Sequence, residues 1–152
     1  SGNNDYNLDL PAQDIFNIGD YKVLVVHGHT FYVYRGVERL KQYALQNNID
    51  IVMFGHTHKP YIEIDEDVTI LNPGSVSYPR QSDHMPTFLI MEIDDEGEAH
   101  YGHGNLKNNI NVLVQESRDI LKYNGKGCTL QHPFHFLCIY RKELFYEKRR
   151  YF

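Results

Sequence analysis

The sequence predicts an α/β protein of the α+β sandwich type. Three observations predict it. Two short apolar runs are separated by one amphipathic stretch, two later apolar pairs flank acidic turns, and 152 residues with 41% hydrophobic content suffice for one packed core.

The elements follow in chain order. Residues 1–20 are polar and turn-rich and predict a loop. Tyr21 to Val26 is a β-branched run and predicts a buried strand, with His27-Gly28-His29 at its carboxyl end. From Gly36 to Asn48 the period becomes helical. Val37, Leu40 and Ala44 share one face with Tyr43 beside them, while Glu38, Arg39, Lys41, Gln42 and Gln46 point elsewhere. Asn47-Asn48 is the expected stop. Ile49 to Phe54 predicts a second strand, ended by Gly55-His56-Thr57-His58. Strand, helix and strand in this order predict a βαβ unit with parallel strands. Tyr61 to Ile64 and Val68 to Leu71 flank Asp65-Glu66-Asp67 as a hairpin, and Asn72-Pro73-Gly74-Ser75 reads as a tight turn. Thr87 to Ile93 and Glu98 to Tyr101 form a further hairpin around Asp94-Asp95-Glu96-Gly97. After Gly104 the character changes. Ile110, Leu113, Val114, Ile120 and Leu121 have helical spacing, and Phe134 to Phe152 is dense in aromatic and basic groups, as a packing or docking segment would be.

Composition excludes several function classes. No run of eighteen apolar residues exists, so no membrane span is expected. Ser1-Gly2-Asn3-Asn4-Asp5 has no basic region followed by an apolar stretch, so it is not expected to be a secretory signal. Two cysteines, Cys128 and Cys138, are too few for a disulfide framework, and a reducing cytoplasm is the expected location. The net charge of -5 argues against a nucleic-acid surface built on bulk positive charge. That charge is uneven. Arg141, Lys142, Lys148, Arg149 and Arg150 against Glu143 and Glu147 give the last twelve residues +3, which leaves -8 on the rest.

The histidines carry the chemistry. His27 and His29 follow one expected strand directly, and His56 and His58 follow the next. Ligands of open α/β sheets collect at the carboxyl ends of strands. Parallel neighbours lie about 4.8 Å apart, so both pairs would converge on one small volume. Imidazole suits zinc, iron, nickel and manganese-type sites. A single His-x-His in a loop is more often solvated; two pairs, each after a buried strand, favour a metal site. Gly28 and Gly55 allow the chain to bend sharply beside such a ligand.

His27-Gly28-His29 and Gly55-His56-Thr57-His58 resemble the fourth and fifth metal-site motifs of the calcineurin-like metallophosphoesterases. Gly2-Asn3-Asn4-Asp5 resembles the third. Asn72-Pro73-Gly74-Ser75-Val76-Ser77-Tyr78-Pro79-Arg80 is similar to a stretch of the small YfcE-like phosphodiesterase branch. The resemblance implies a four-layer α/β/β/α fold, of which residues 1–104 form the C-terminal portion; residues 105–152 lie outside the resemblance and are expected to form a helical, packing extension. It implies Asn3, His27 and His56 as ligands of a second metal and His58 as a ligand of a first. His29 then lies beside the phosphate or leaving group, with a hydrogen bond to a metal-holding residue as the simpler role. Arg80 is a candidate for binding a phosphate oxygen, an exposed structural arginine being the plainer alternative. Asn72 to Ser75 is either a turn or a support for the metal-bearing end of the sheet.

The implied cofactor is a pair of divalent ions, manganese first, with zinc, iron or nickel as alternatives. The implied reaction is hydrolysis of a small phosphate ester, a diester before a monoester, by a metal-bridging hydroxide. Asn4 stands where much of the superfamily has a histidine assigned as leaving-group acid, which places more weight on His29. The family's first two motifs, Asp-x-His and Gly-Asp, have no counterpart in this sequence. Hence the expectation of a homo-oligomer with little activity alone, since bare strand edges invite pairing. A non-catalytic scaffold of the Vps29 type, or an inactive fragment holding one metal, is the alternative.

Overall fold

The computed structural model describes residues 1–3, 5, 11–105 and 138–142. Its strands are β1 (Gln13–Ile18), β2 (Tyr21–Val26), β3 (Ile51–Phe54), β4 (Pro60–Ile64), β5 (Thr69–Pro73), β6 (Thr87–Ile93), β7 (Ala99–Asn105) and β8 (Cys138–Lys142); α1 spans Glu38–Gln46. They form a five-stranded sheet in the order β1-β2-β3-β5-β4 and a three-stranded sheet in the order β7-β6-β8.

The expected βαβ unit is present. β2 and β3 are parallel, with Val26 opposite Phe54, and α1 connects them. Parallel strands are covered on both faces, and the alternation of β2 and β3 shows how. Leu24, Val26, Val52 and Phe54 join Leu40 and Ala44 of α1 in one buried cluster. Val23, Ile51 and Met53 join Leu89, Met91 and Ile93 of β6 in a second. The order is helix, sheet, sheet, which is three of the four expected layers; the outer helical layer has no counterpart among the described residues. Fully burying one such aliphatic side chain stabilises the fold by about 1.5–3 kcal/mol, so the two clusters hold both faces of β2 and β3 against movement.

α1 ends as expected. The Asn47 amide side chain donates to the Tyr43 carbonyl at 2.8 Å, and Asn48 takes a left-handed φ of 51°. Its middle is tied to the edge strand β4 by Lys41, which ion-pairs with Glu63 at 2.7 Å and with Asp65. Both expected hairpins are antiparallel, β4 with β5 and β6 with β7.

Two expectations fail. Residues 1–20 are not loop throughout: Gln13–Ile18 is a strand, antiparallel to β2, turning at Gly19-Asp20. Phe16 and Ile18, at period two, pack against the inter-sheet core. The reading of residues 105–152 as helical also fails in part. Cys138–Lys142 is a strand parallel to β6, and Asn105 ends β7. The helical spacing from Ile110 to Leu121 lies outside the described residues. Among the described residues, no helix is long and apolar enough to cross a membrane.

Candidate metal centre and substrate cleft

The register of β2 against β3 builds the site. With Val26 opposite Phe54, the next residues, His27 and Gly55, leave the sheet side by side. The Gly55 N–H donates to the His27 carbonyl at 3.2 Å and joins the two loops. Three histidines of the two pairs, His27, His29 and His56, are thereby gathered. Ring centroids are 5.0 Å apart for His27–His29, 4.9 Å for His27–His56 and 6.1 Å for His29–His56. The Nδ1 atoms of His27 and His29 lie 2.9 Å apart, so one ring donates to the other.

Each loop takes a shape its sequence must be held in. Gly28 has φ 102°, and a Cβ there would stand 3.0 Å from a Val33 methyl. Glycine meets both demands, and the chain turns from β2 into a short 3-10 segment beginning at His29. In the second loop the left-handed residues are histidines: His56 has φ 64° and His58 φ 58°. For a side chain with a Cβ this costs about 1–2 kcal/mol per residue, and such strain persists only where the surroundings fix it.

The fixing groups are visible. Buried Asn72 donates its side-chain amide to the Gly55 carbonyl at 3.1 Å and to the Thr57 hydroxyl at 3.0 Å, and its Oδ1 accepts the Gly74 N–H at 2.9 Å. The Arg80 N–H donates to the His58 carbonyl at 3.0 Å. His58 Nδ1 lies 2.9 Å from the Tyr78 carbonyl. A carbonyl only accepts, so Nδ1 carries a proton, and in the neutral tautomer this contact selects, Nε2 is the nitrogen that faces a ligand. The residues 72–80 are thus a support for the second histidine loop, and Asn72 is its centre.

Charge in the site is biased against protonation. Burial pushes His27 down to about 4, helped by the neighbouring His56 and His29 and opposed by Asp5. Burial also lowers His56, as do His29 and the nearby Arg80 guanidinium. Both are neutral imidazoles at neutral pH, the form that binds metal. Consequently the metal-free protein is expected to weaken in mild acid. An unfolded His27 takes a proton near pH 6.5 and the folded one only near 4. The unfolded state therefore binds more protons between those values, and stability falls as pH falls through that window. Discounted for the ring's exposure, the loss is about 1–2 kcal/mol by pH 4.5. Urea unfolding after chelation at pH 7.5, 5.5 and 4.5 measures it, and His27→Gln should flatten the dependence.

The structure places each expected residue. His27, His29 and His56 come together ring to ring, and His58 lies near enough to lower His27 and His56. Arg80 is exposed but close enough to bias His56, with its guanidinium carbon 5.4 Å from the Tyr78 ring centroid. Asn3 is exposed, on the turn closed by the Asp5 N–H to the Gly2 carbonyl at 3.3 Å. Asp5, Thr57 and Tyr78 are additions to the expected set. Asp5 ends the Gly-Asn-Asn-Asp stretch and Thr57 sits within Gly-His-Thr-His, so both were marked by motifs already singled out. Among the described residues no three His, Cys, Asp or Glu side chains stand in coordinating geometry together. The donor chemistry fits a divalent ion, with two neutral imidazoles adjacent and a third with Nε2 available.

Beside His56 opens a cleft of about 570 Å³. Buried Val33, Val37 and Phe54 line it, together with exposed Tyr34 and Tyr61 and the charged Glu38, Lys59 and Arg80.

Comparison with known proteins agrees with this geometry. Residues 1–96 match the model of the calcineurin-like phosphoesterase superfamily domain. A probable metallophosphoesterase of Methanocaldococcus jannaschii, MJ0623, is 35% identical over 98 residues, which are 64% of this chain and 50% of that protein. The chain spans about half the length of the curated relatives it matches. A conserved uncharacterized protein of Streptococcus pneumoniae TIGR4, a predicted phosphoesterase, shares the fold. Its TM-score is 0.57 at 24% identity, over 68% of this chain and 67% of that one. Wild-type Vps29 of Entamoeba histolytica, solved with zinc, has a TM-score of 0.52 at 28% identity, over 64% and 62% of the two chains. The family model, the β2–β3 histidine loops and the sandwich of two sheets lead to one assignment: the chain belongs to the calcineurin-like phosphoesterase superfamily.

Proposed function

We propose that this chain carries part of the active site of a metal-dependent phosphoester hydrolase acting on a small phosphate ester, a diester before a monoester. The observation that carries the reading is the meeting of His27, His29 and His56 where β2 and β3 end, with rings about 5–6 Å apart, and His58 near enough to bias His27 and His56. His27 and His56, with Asn3, would hold one divalent ion, and His58 would contribute to a second; manganese is the first candidate, then zinc, iron or nickel. Such ions, when bound, offset charge on phosphoryl oxygens and make a bound water more acidic. The chain's own groups do the rest. Arg80, anchored through its N–H to the His58 carbonyl, can meet a phosphate oxygen with its guanidinium. His29 can hand a proton to the departing oxygen, because Asn4 beside Asn3 cannot.

The test is a leaving-group series on the metal-loaded protein. His29→Ala should lower kcat/KM about 100-fold for an alkoxide leaving group and only a few-fold for p-nitrophenolate. An equal loss across the series removes the acid role. A second reading is a non-catalytic protein, supported by the likeness to Vps29. Metal content separates the two: two ions per site favour the hydrolase, one a partial site, none the non-catalytic reading.

A further inference from the structure

We propose that the cleft beside His56 seats the non-reacting substituent of the phosphate ester and selects a planar aromatic group over a small aliphatic one. The inference rests on the phosphoester reading and adds the class of substituent.

Location is the first argument. His56 and Arg80 belong both to the cleft lining and to the histidine site. A phosphoryl group held by them has its second substituent at the mouth of the cleft. Size is the second. At about 570 Å³ the cleft lies within the range of small-molecule sites, roughly 300–1,000 Å³. A methyl or ethyl group would leave most of it filled with water, whereas a one- or two-ring group would displace that water.

Lining is the third argument. Val33, Val37 and Phe54 are only 5%, 9% and 2% exposed and present an apolar interior. Tyr34 and Tyr61 are 59% and 37% exposed, so two aromatic rings are available at the same opening. Tyr61 is fixed in advance. Its ring meets Phe54 edge-on, with centroids 6.2 Å apart, and its hydroxyl donates to Glu63. A ring already held in place loses little freedom when it stacks on a ligand. Charge is the fourth. Glu38 folds over Gly36 at the start of α1 and sets a carboxylate at one end of the cleft. Lys59 and Arg80 line the same cleft, so the phosphoryl end meets cations while the Glu38 carboxylate stands beside the apolar part.

Titration of the full chain, loaded with Mn²⁺, with non-hydrolysable phosphonates tests the inference without turnover. Phenylphosphonate should bind about tenfold tighter than methylphosphonate. Tyr61→Ala and Tyr34→Ala should each reduce the ratio, Tyr61→Ala to within about twofold. Ile64→Ala, on β4 outside the cleft, should leave it unchanged. Arg80→Ala should weaken both ligands alike. Equal affinities in the unaltered protein, or a ratio insensitive to both tyrosine substitutions, overturn the aromatic subsite and leave the phosphoester reading standing. If neither phosphonate nor inorganic phosphate binds, the phosphoester reading falls and the subsite with it.

Discussion

Asn72→Ala is expected to destabilise the protein by about 3–4 kcal/mol and to weaken metal binding by about tenfold or more. Asn72 is wholly buried, and its one amide serves three partners on two segments: the Gly55 carbonyl, the Thr57 hydroxyl and the Gly74 N–H. Truncation leaves the buried Gly74 N–H without it, at about 1–3 kcal/mol, and takes a bond from the part-buried Gly55 carbonyl and Thr57 hydroxyl, at about 0.5–1.5 kcal/mol each. It also frees a loop in which His56 and His58 hold left-handed φ values of 64° and 58°. Once the support is gone, the loop relaxes toward ordinary backbone, and both imidazoles leave their places. Urea unfolding measures the first effect and a zinc competition titration the second. Thr57→Val removes only one of the three bonds and should cost no more than about 1 kcal/mol. If Asn72→Ala lowered stability but left metal affinity unchanged, the residues 72–80 would be structural support alone.

That role shows where the sequence was legible and where it was not. β2 and β3 announce themselves because strands buried on both faces are continuous apolar runs, and the histidines stand at their ends. Register then needs no further information: once Val26 faces Phe54, His27 and Gly55 emerge together. β1 is not legible because as an edge strand it buries only one face. Phe16 and Ile18 are partly buried while Gln13, Asp14 and Asn17 are exposed, so its composition resembles a loop. The period-two signal before Gly19-Asp20 was present but short. Asn72 was singled out within a turn motif, yet its task depends on groups fifteen and seventeen residues away, and no local pattern encodes that. The left-handed histidines are similar. Nothing in Gly-His-Thr-His requires positive φ; the tertiary hydrogen bonds impose it. The cleft lies furthest from sequence reading, since the start of α1, the loop after β3 and β4 build it only after the sheet has formed.

His56→Ala and His27→Ala should each reduce zinc or manganese affinity by about 100-fold or more. Loss of a group that merely orients a ligand typically costs 10–100-fold, and loss of a ligand itself should cost at least the upper end of that range. The pair is suited to the task before any ion arrives. The two rings are 4.9 Å apart, and burial keeps both neutral, so no proton has to leave before ligation at neutral pH. His27 shares a hydrogen bond with His29, and that bond must open if Nδ1 is the coordinating atom. His29→Ala therefore has an informative sign. It should leave metal affinity unchanged or slightly raised if His29 only competes for His27 Nδ1, and lower it about tenfold if His29 orients His27. His100→Ala is the control, because His100 pairs with Asp94 at the β6–β7 turn, away from the cluster. A chromophoric chelator competition reads all four variants on one scale. Equal affinities for His56→Ala and His100→Ala would mean that the rings meeting at the ends of β2 and β3 pack together without holding an ion, and the hydrolase reading would lose its support.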